Sequence, residues 1–411
     1  AAAGAGTGAL SKCGRCEEER YCSRACQMAA WKGWHKLECS RLRVLREYGV
    51  GKSNADIADA DSSAKTQALL LGRALRAASA DAAARERLCA LRPAPNGPEE
   101  RMKAGAMTKV SPADVARVQA RMTAYKIATA AKLVPEGEQA AGLPKPYDCL
   151  LAFDSNNFGV LVGALASQEV VAAAVYPEGA MLNSSCSPNC FLSYEPPENG
   201  GAGKVGRVQV FRALRDIGEG EELTHCYVDA EAARGTRRAE LSSDYGFDCE
   251  CERCVAEANG AAAAADESDE TETAGAGLVN SADDDALRQA RASLDKAAAE
   301  EDPAEELALL RSALPALERA GGSDALRAGD AAATAALAAG ELAFAASQYS
   351  QNAARRSALH PEGHPRPAAD LYAAAAAAAA AGDVDAAAAL AAEALPVLRR
   401  ALGERAHTTK G

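Results

Sequence analysis

The spacing of the cysteines constrains this chain more than any other feature. Residues 11–39 carry Cys13-x2-Cys16, Cys22-x3-Cys26 and His35-x3-Cys39, and Cys249-x-Cys251-x2-Cys254 follows far downstream. Zinc takes four tetrahedral thiolate or imidazole ligands, and no single tight turn can supply them all, so chains build such sites from close pairs. His35 and Cys39 are four residues apart, which puts them on one face of a helical turn. The N-terminal ligands are too many for one zinc and too few for two. Free thiols in a helical segment would not need this spacing. The chain has thirteen cysteines, and such clusters in an intracellular protein read as metal ligation rather than disulfides.

Composition narrows the rest. A chain of 411 residues has room for two or three domains. Hydrophobic residues make up 48% but aromatics only 4%, so the core is expected to be helical packing of small side chains. A net charge of −12 argues against general DNA affinity, which needs a phosphate-neutralising surface. An acidic protein can instead attract a basic, lysine-rich target. From Ser11 to Arg46 the balance reverses, with nine Lys/Arg against four Glu. That stretch reads first as a solvated face; a proline-rich or acidic peptide, or weak DNA contact, is the other use. No segment reads as a signal peptide or a membrane span, and Ala373–Ala381 is a helix interior.

Along the chain, residues 47–147 read as helices: Leu69, Leu70, Leu71 and Leu75 suit a buried face. Ser111-Pro112 is a helix start, and Pro93, Pro95, Asn96, Gly97 and Pro98 mark a turn. Residues 148–254 gain Val and Leu runs with Gly and Pro punctuation, as short strands do. Val205–Leu214 alternates like a strand. Residues 257–280 are nearly devoid of large apolar side chains and read as a disordered acidic linker. Residues 281–411 read as helical, and Ala358-Leu359-His360 with His364 recurs 43 residues later as Ala401-Leu402-Gly403 with His407. A helix pair per period is the mark of a tetratricopeptide-like array, with Gly382-Asp383 turning between two helices.

Three segments answer one another: Asn183-Ser184-Ser185-Cys186-Ser187-Pro188-Asn189, Gly220-Glu221-Glu222-Leu223-Thr224-His225-Cys226-Tyr227, and Tyr245-Gly246-Phe247-Asp248-Cys249-Glu250-Cys251-Glu252-Arg253-Cys254. Together they resemble the C-terminal half of a SET domain, the fold of most protein-lysine methyltransferases. With the N-terminal cysteine cluster, the chain resembles the SET and MYND domain (SMYD) family.

That resemblance implies an α+β protein: a MYND-type zinc finger (1–46), a helical insert (47–147), a SET core (148–248), a post-SET zinc segment (249–256), the linker (257–280) and a tetratricopeptide-like domain (281–411). It implies methyl transfer from S-adenosyl-L-methionine (AdoMet) to a lysine of a protein substrate. It assigns Tyr227 and Tyr245 as catalytic, and Asn156, Asn183, Ser184, Tyr227 and Phe247 as cofactor contacts. Up to three structural Zn2+ sites are implied in the full-length protein. Cys13, Cys16, His35 and Cys39 form the first. Cys22 and Cys26 are half of the second, whose partner Cys-x-x-Cys is expected before Ala1. Cys186, Cys249, Cys251 and Cys254 form the third.

Two departures stand out. Ser184 replaces the family histidine, and the Gly-x-Gly strands of the SET fold precede the finger in this family, so the chain reads as truncated. Both features favour a second reading, an inactive adaptor that binds partner peptides through finger and repeats. A nucleic-acid-binding finger is the third. His225 is expected to be a satisfied strand histidine, and Cys89, Cys149, Cys190 and Cys226 packed thiols. Trp31 and Trp34 are expected to pack around the finger. The protein is further expected in nucleus and cytoplasm, as a monomer, with a chaperone-tail peptide as one partner of its helical domain.

Overall fold

The computed structural model describes residues 10–47, 55–95, 97–103, 110–162, 165, 169–195, 207–266 and 281–403. β1 (Ser11–Lys12) and β2 (Arg20–Tyr21) pair antiparallel, with Cys13 and Cys16 in the loop between them. Ser23 caps α1 (Arg24–Ala30) by accepting from the Cys26 N–H. A π-helical turn, Trp31–His35, passes into α2 (Lys36–Glu47). It sets His35 and Cys39 inward, both buried.

α3 (Ala55–Ala80), α4 (Ala82–Ala90), α5 (Pro98–Lys103) and α6 (Pro112–Ala130) form the helical layer that follows. α3 buries Ala64, Ala68, Leu71, Leu75 and Ala78, the stripe of a helix turned to a core. This layer and the finger share one hydrophobic cluster. Glu38 of α2, only 1% exposed, pins them together through ion pairs with Arg73 and Arg76. α6 starts as its sequence predicts: Ser111 caps it, Pro112 opens it, and Asp114 closes a capping box.

The segment expected to turn to strands at residue 148 begins instead with α7 (Pro146–Asn156). Cys149, Leu150, Ala152 and Phe153 are buried, a helical rather than alternating pattern. Among the described residues four two-stranded sheets lie between the helices, and the fold is α+β. After the finger hairpin, β3 (Asn157–Val162) pairs antiparallel with β4 (Glu169–Val175). β5 (Asn183–Ser184), β6 (Cys190–Glu195), β7 (Val208–Ala213) and β8 (Thr224–His225) complete the set. β6 pairs antiparallel with β7, and β5 pairs parallel with β8. β8 stops at His225, two residues before Tyr227.

α8 (Arg234–Glu240) and α9 (Glu252–Asp266) follow. The expected linker at 257–280 is thus helical up to Asp266, because its alanines are the strongest helix formers; residues 267–280 lie outside the described residues. α10 (Ser281–Ala297), α11 (Pro303–Ala320), α12 (Gly322–Ala338), α13 (Leu342–Leu359), α14 (Pro365–Ala380) and α15 (Val384–Leu402) each pack on the next. Alanines fill most of these contacts. The Gly382-Asp383 turn joins α14 to α15 as expected; His407 lies outside the described residues.

The helical lobe docks on the strands through a buried charge cluster. Arg356 of α13 is 1% exposed and bonds Glu231 (2.8 Å), Asp330 (2.6 Å) and Asp370 (2.6 Å). Gly363, at φ 79°, lies where a Cβ would collide with the Leu214 carbonyl after β7, so glycine permits the close approach. Arg356→Ala should cost about 3–5 kcal/mol, since it strands buried carboxylates without a partner. Urea unfolding measures this. Arg356→Lys should recover only part, because an ammonium lacks the guanidinium's fork of donors.

Candidate active site and metal centres

Two sets of ligand atoms converge. Cys13, Cys16, His35 and Cys39 form one, and Cys186, Cys249, Cys251 and Cys254 the other; within each set the ligand atoms all lie within 4.8 Å of one another. Cys13 and Cys39 sulfurs are 3.9 Å apart, and His35 Nε2 is 3.3 Å from Cys13 and 3.7 Å from Cys16. Cys186 is 4.0 Å from Cys249 and 3.7 Å from Cys254. Tetrahedral Zn–S bonds of about 2.3 Å put sulfurs about 3.8 Å apart, so both sets fit zinc. Burial pushes the Cys39 and Cys249 thiols up to about 12. Thiolates packed this closely need a cation among them. Four protein ligands leave no open position, so such a zinc is structural.

Cys22 and Cys26 lie apart from that finger set, exposed or half-buried, with sulfurs 3.2 Å from each other. Trp31 and Trp34 pack edge-on to the His35 ring, with centroids at 5.6 Å and 5.5 Å. Trp34 also stacks on Arg73. No motif announces the groups around the second set. Arg237, buried, reaches Cys254 Sγ at 3.7 Å and pairs with Glu257 at 2.7 Å. Arg253 donates to the Cys186 and Ala230 carbonyls. These bonds fasten α8 and α9 to the loop that carries Cys186.

The second cluster packs against Tyr227, Tyr245 and Phe247. Tyr245 closes a π-helical turn, and Gly246 follows at φ 74° with its α-carbon against the Pro95 carbonyl. Only glycine fits there without strain. The Tyr227 and Tyr245 rings lie 4.8 Å apart. Both line a cavity of about 300 Å3. The Tyr227 hydroxyl donates to the Leu182 carbonyl at 2.6 Å. Burial holds the Tyr227 phenol above its ordinary range and pushes Tyr245 up to about 12. Both are therefore neutral phenols near pH 7.

Of the predicted cofactor residues, Tyr227 lines this cavity, whereas Asn156, Asn183, Ser184 and Phe247 do not. Asn183 and Ser184, on β5, pair with Thr224 and His225 of β8. Ser184 Oγ accepts from the Tyr227 N–H at 3.4 Å. Asn183 Nδ2 donates to Glu222 at 2.6 Å. Asn156 Nδ2 donates to the Arg92 and Ala152 carbonyls; its neighbours Ser155 and Asn157 line the cavity instead. Among the described residues, no donor reaches the amide oxygen of Asn156 or Asn183.

Sequence reasoning missed the cavity's other walls: Phe158, Phe191, Tyr194 and His364. Two thiol expectations also change. Cys89 is exposed and Cys226 only half-buried, whereas Cys149 and Cys190 are buried. His225 is buried as expected, but neither ring nitrogen has a hydrogen-bond partner. A strand pairs its backbone groups only; what surrounds this side chain is aromatic.

A MYND finger model matches residues 2–39, and a SET domain model matches residues 76–228. The chain is similar to histone-lysine N-methyltransferase SMYD3 of Homo sapiens, 28% identical over 256 residues that cover 60% of this chain and 49% of that protein. N-lysine methyltransferase SMYD2 of Homo sapiens is 25% identical over 247 residues, 60% of this chain and 48% of that protein. Protein-lysine N-methyltransferase SMYD4 of Mus musculus is 38% identical over 96 residues, 23% of this chain and 11% of that protein. The chain spans about half the length of the first two. A MYND finger model and a SET domain model thus each match their own part of the chain, and the chain is similar to protein-lysine methyltransferases of the SET and MYND domain family.

Proposed function

We propose that the protein transfers methyl groups from AdoMet to a lysine side chain of another protein. The observation that carries this reading is the convergence at the cavity. The Cys186, Cys249, Cys251 and Cys254 cluster packs against Tyr245, whose ring meets Tyr227 at 4.8 Å. AdoMet, when bound, supplies a methyl group on a sulfonium.

The chain's own residues do the rest. Aromatic walls strip water from an incoming lysine, and desolvation lowers its pKa towards the neutral amine. The Tyr227 hydroxyl is held by Leu182, so its lone pairs stand as fixed acceptors for the amine or the methyl C–H groups. Such fixed alignment supplies much of the rate. The free amide oxygens of Asn156 and Asn183, the Ser184 hydroxyl and the Phe247 ring are the groups offered to the cofactor. Zinc in both four-ligand sites has a structural role.

Calorimetric titration with AdoMet tests the reading, using the protein with any residues its gene places ahead of Ala1. Saturable binding at one site per chain is expected, with label passing from methyl-labelled AdoMet to protein lysine. No binding by the folded, zinc-loaded protein would overturn it.

A further inference from the structure

His225 is 4% exposed, and both Nδ1 and Nε2 lack a hydrogen-bond partner. Its ring is held by Tyr227 at 4.8 Å, Phe211 at 5.2 Å and Phe158 at 6.0 Å. None of these can satisfy a ring nitrogen in the plane of the imidazole. The ring lines the cavity, and no Asp, Glu, Lys or Arg lines it with it. Leaving a buried polar atom unpaired destabilises the empty cavity. An occupant of the cavity that hydrogen-bonds the imidazole would remove that cost.

Burial lowers the His225 pKa to about 4. The ring is therefore neutral near pH 7, with one nitrogen a donor and the other an acceptor. An occupant that pairs with the acceptor nitrogen is apolar along the walls and bears an N–H or O–H at its head. A lysine side chain has that form.

We propose that His225 is a specificity residue of the cavity, whose unprotonated ring nitrogen accepts a hydrogen bond from the amine head of the substrate lysine. This rests on the lysine-methyl-transfer reading and deepens it. Each methyl added to the amine replaces an N–H, the proton leaving to solvent. A trimethylated head has no N–H left to donate, so the contact favours heads carrying few methyls.

The test uses the side-chain head alone. The 15N-histidine-labelled protein is titrated with n-butylamine hydrochloride and, separately, with butyltrimethylammonium chloride. The His225 ring resonances are assigned by their loss in His225→Gln. Butylamine is expected to shift the His225 nitrogens, and butyltrimethylammonium to leave them in place. His225→Leu should bind butylamine about five- to tenfold more weakly, the loss of one hydrogen bond, with the quaternary probe unaffected. His225→Gln, which keeps an acceptor, should retain the preference. Equal shifts with both probes, or no response at His225, would overturn the proposal. If His225→Leu does not fold, the wild-type comparison decides alone. AdoMet binding beside an unresponsive His225 would sink this proposal and spare the methyl-transfer reading. Amine selectivity without AdoMet binding would do the reverse.

Discussion

A Tyr227→Phe chain should keep its fold and its zinc yet transfer methyl groups roughly 100-fold more slowly, the scale of cost that misplacing a reacting group carries. The change removes one oxygen. That oxygen donates to Leu182 at 2.6 Å and stands over the cavity beside Tyr245. Phenylalanine fills the same volume and still packs on the zinc cluster, so AdoMet affinity should move only a few-fold. The loss should fall on kcat rather than KM, as it does when an interaction matters mainly in the transition state. Single-turnover kinetics with labelled AdoMet give the split. A rate unchanged from wild type would remove Tyr227 from the mechanism.

Cys186→Ser should be the more damaging change. Cys186 is fully buried and comes from the loop before β6, whereas its three partners come from a segment after α8. Four cysteine sulfurs gathered from such distant segments match the ligand set of a zinc centre. Structural zinc binding contributes about 10–16 kcal/mol in small finger peptides. Without it, the Cys249–Cys254 segment loses its anchor, and the Tyr245 and Phe247 rings lose their seat. The protein should lose about one zinc per chain and all measurable transfer, because structural zinc sites need every ligand. The Cys13, Cys16, His35 and Cys39 site should keep its metal. Plasma emission analysis beside a transfer assay reads both. Full zinc content in the folded variant would contradict the assignment.

The parts legible in the sequence were those with short-range chemistry. Cysteine spacing marked both clusters as metal-like, the family resemblance supplied Cys186 as a fourth ligand, and Ser111-Pro112 announced its helix. Tyr227 was legible because the Glu-Glu-Leu-Thr run before it is distinctive. The cavity walls were not: Phe158 comes from β3, Phe191 and Tyr194 from β6 and His364 from the cap of α14, and no single motif gathers them. The Arg356 cluster joins carboxylates from α12, α14 and the loop before α8, and an arginine in a helix looks the same in sequence whether buried or exposed. The linker expectation failed at α9 because low hydrophobicity was taken for disorder, while alanine favours helix regardless. His225 was rightly placed in a strand, but strand position says nothing of side-chain partners.

Anomalous diffraction at the zinc edge tests the central claim most directly. The account predicts a peak bonded to the sulfurs of Cys186, Cys249, Cys251 and Cys254 at about 2.3 Å, with the Tyr227 and Tyr245 rings in contact over the cavity. A map with no metal at those sulfurs, or with Cys186 unbound and the two rings apart, would contradict it.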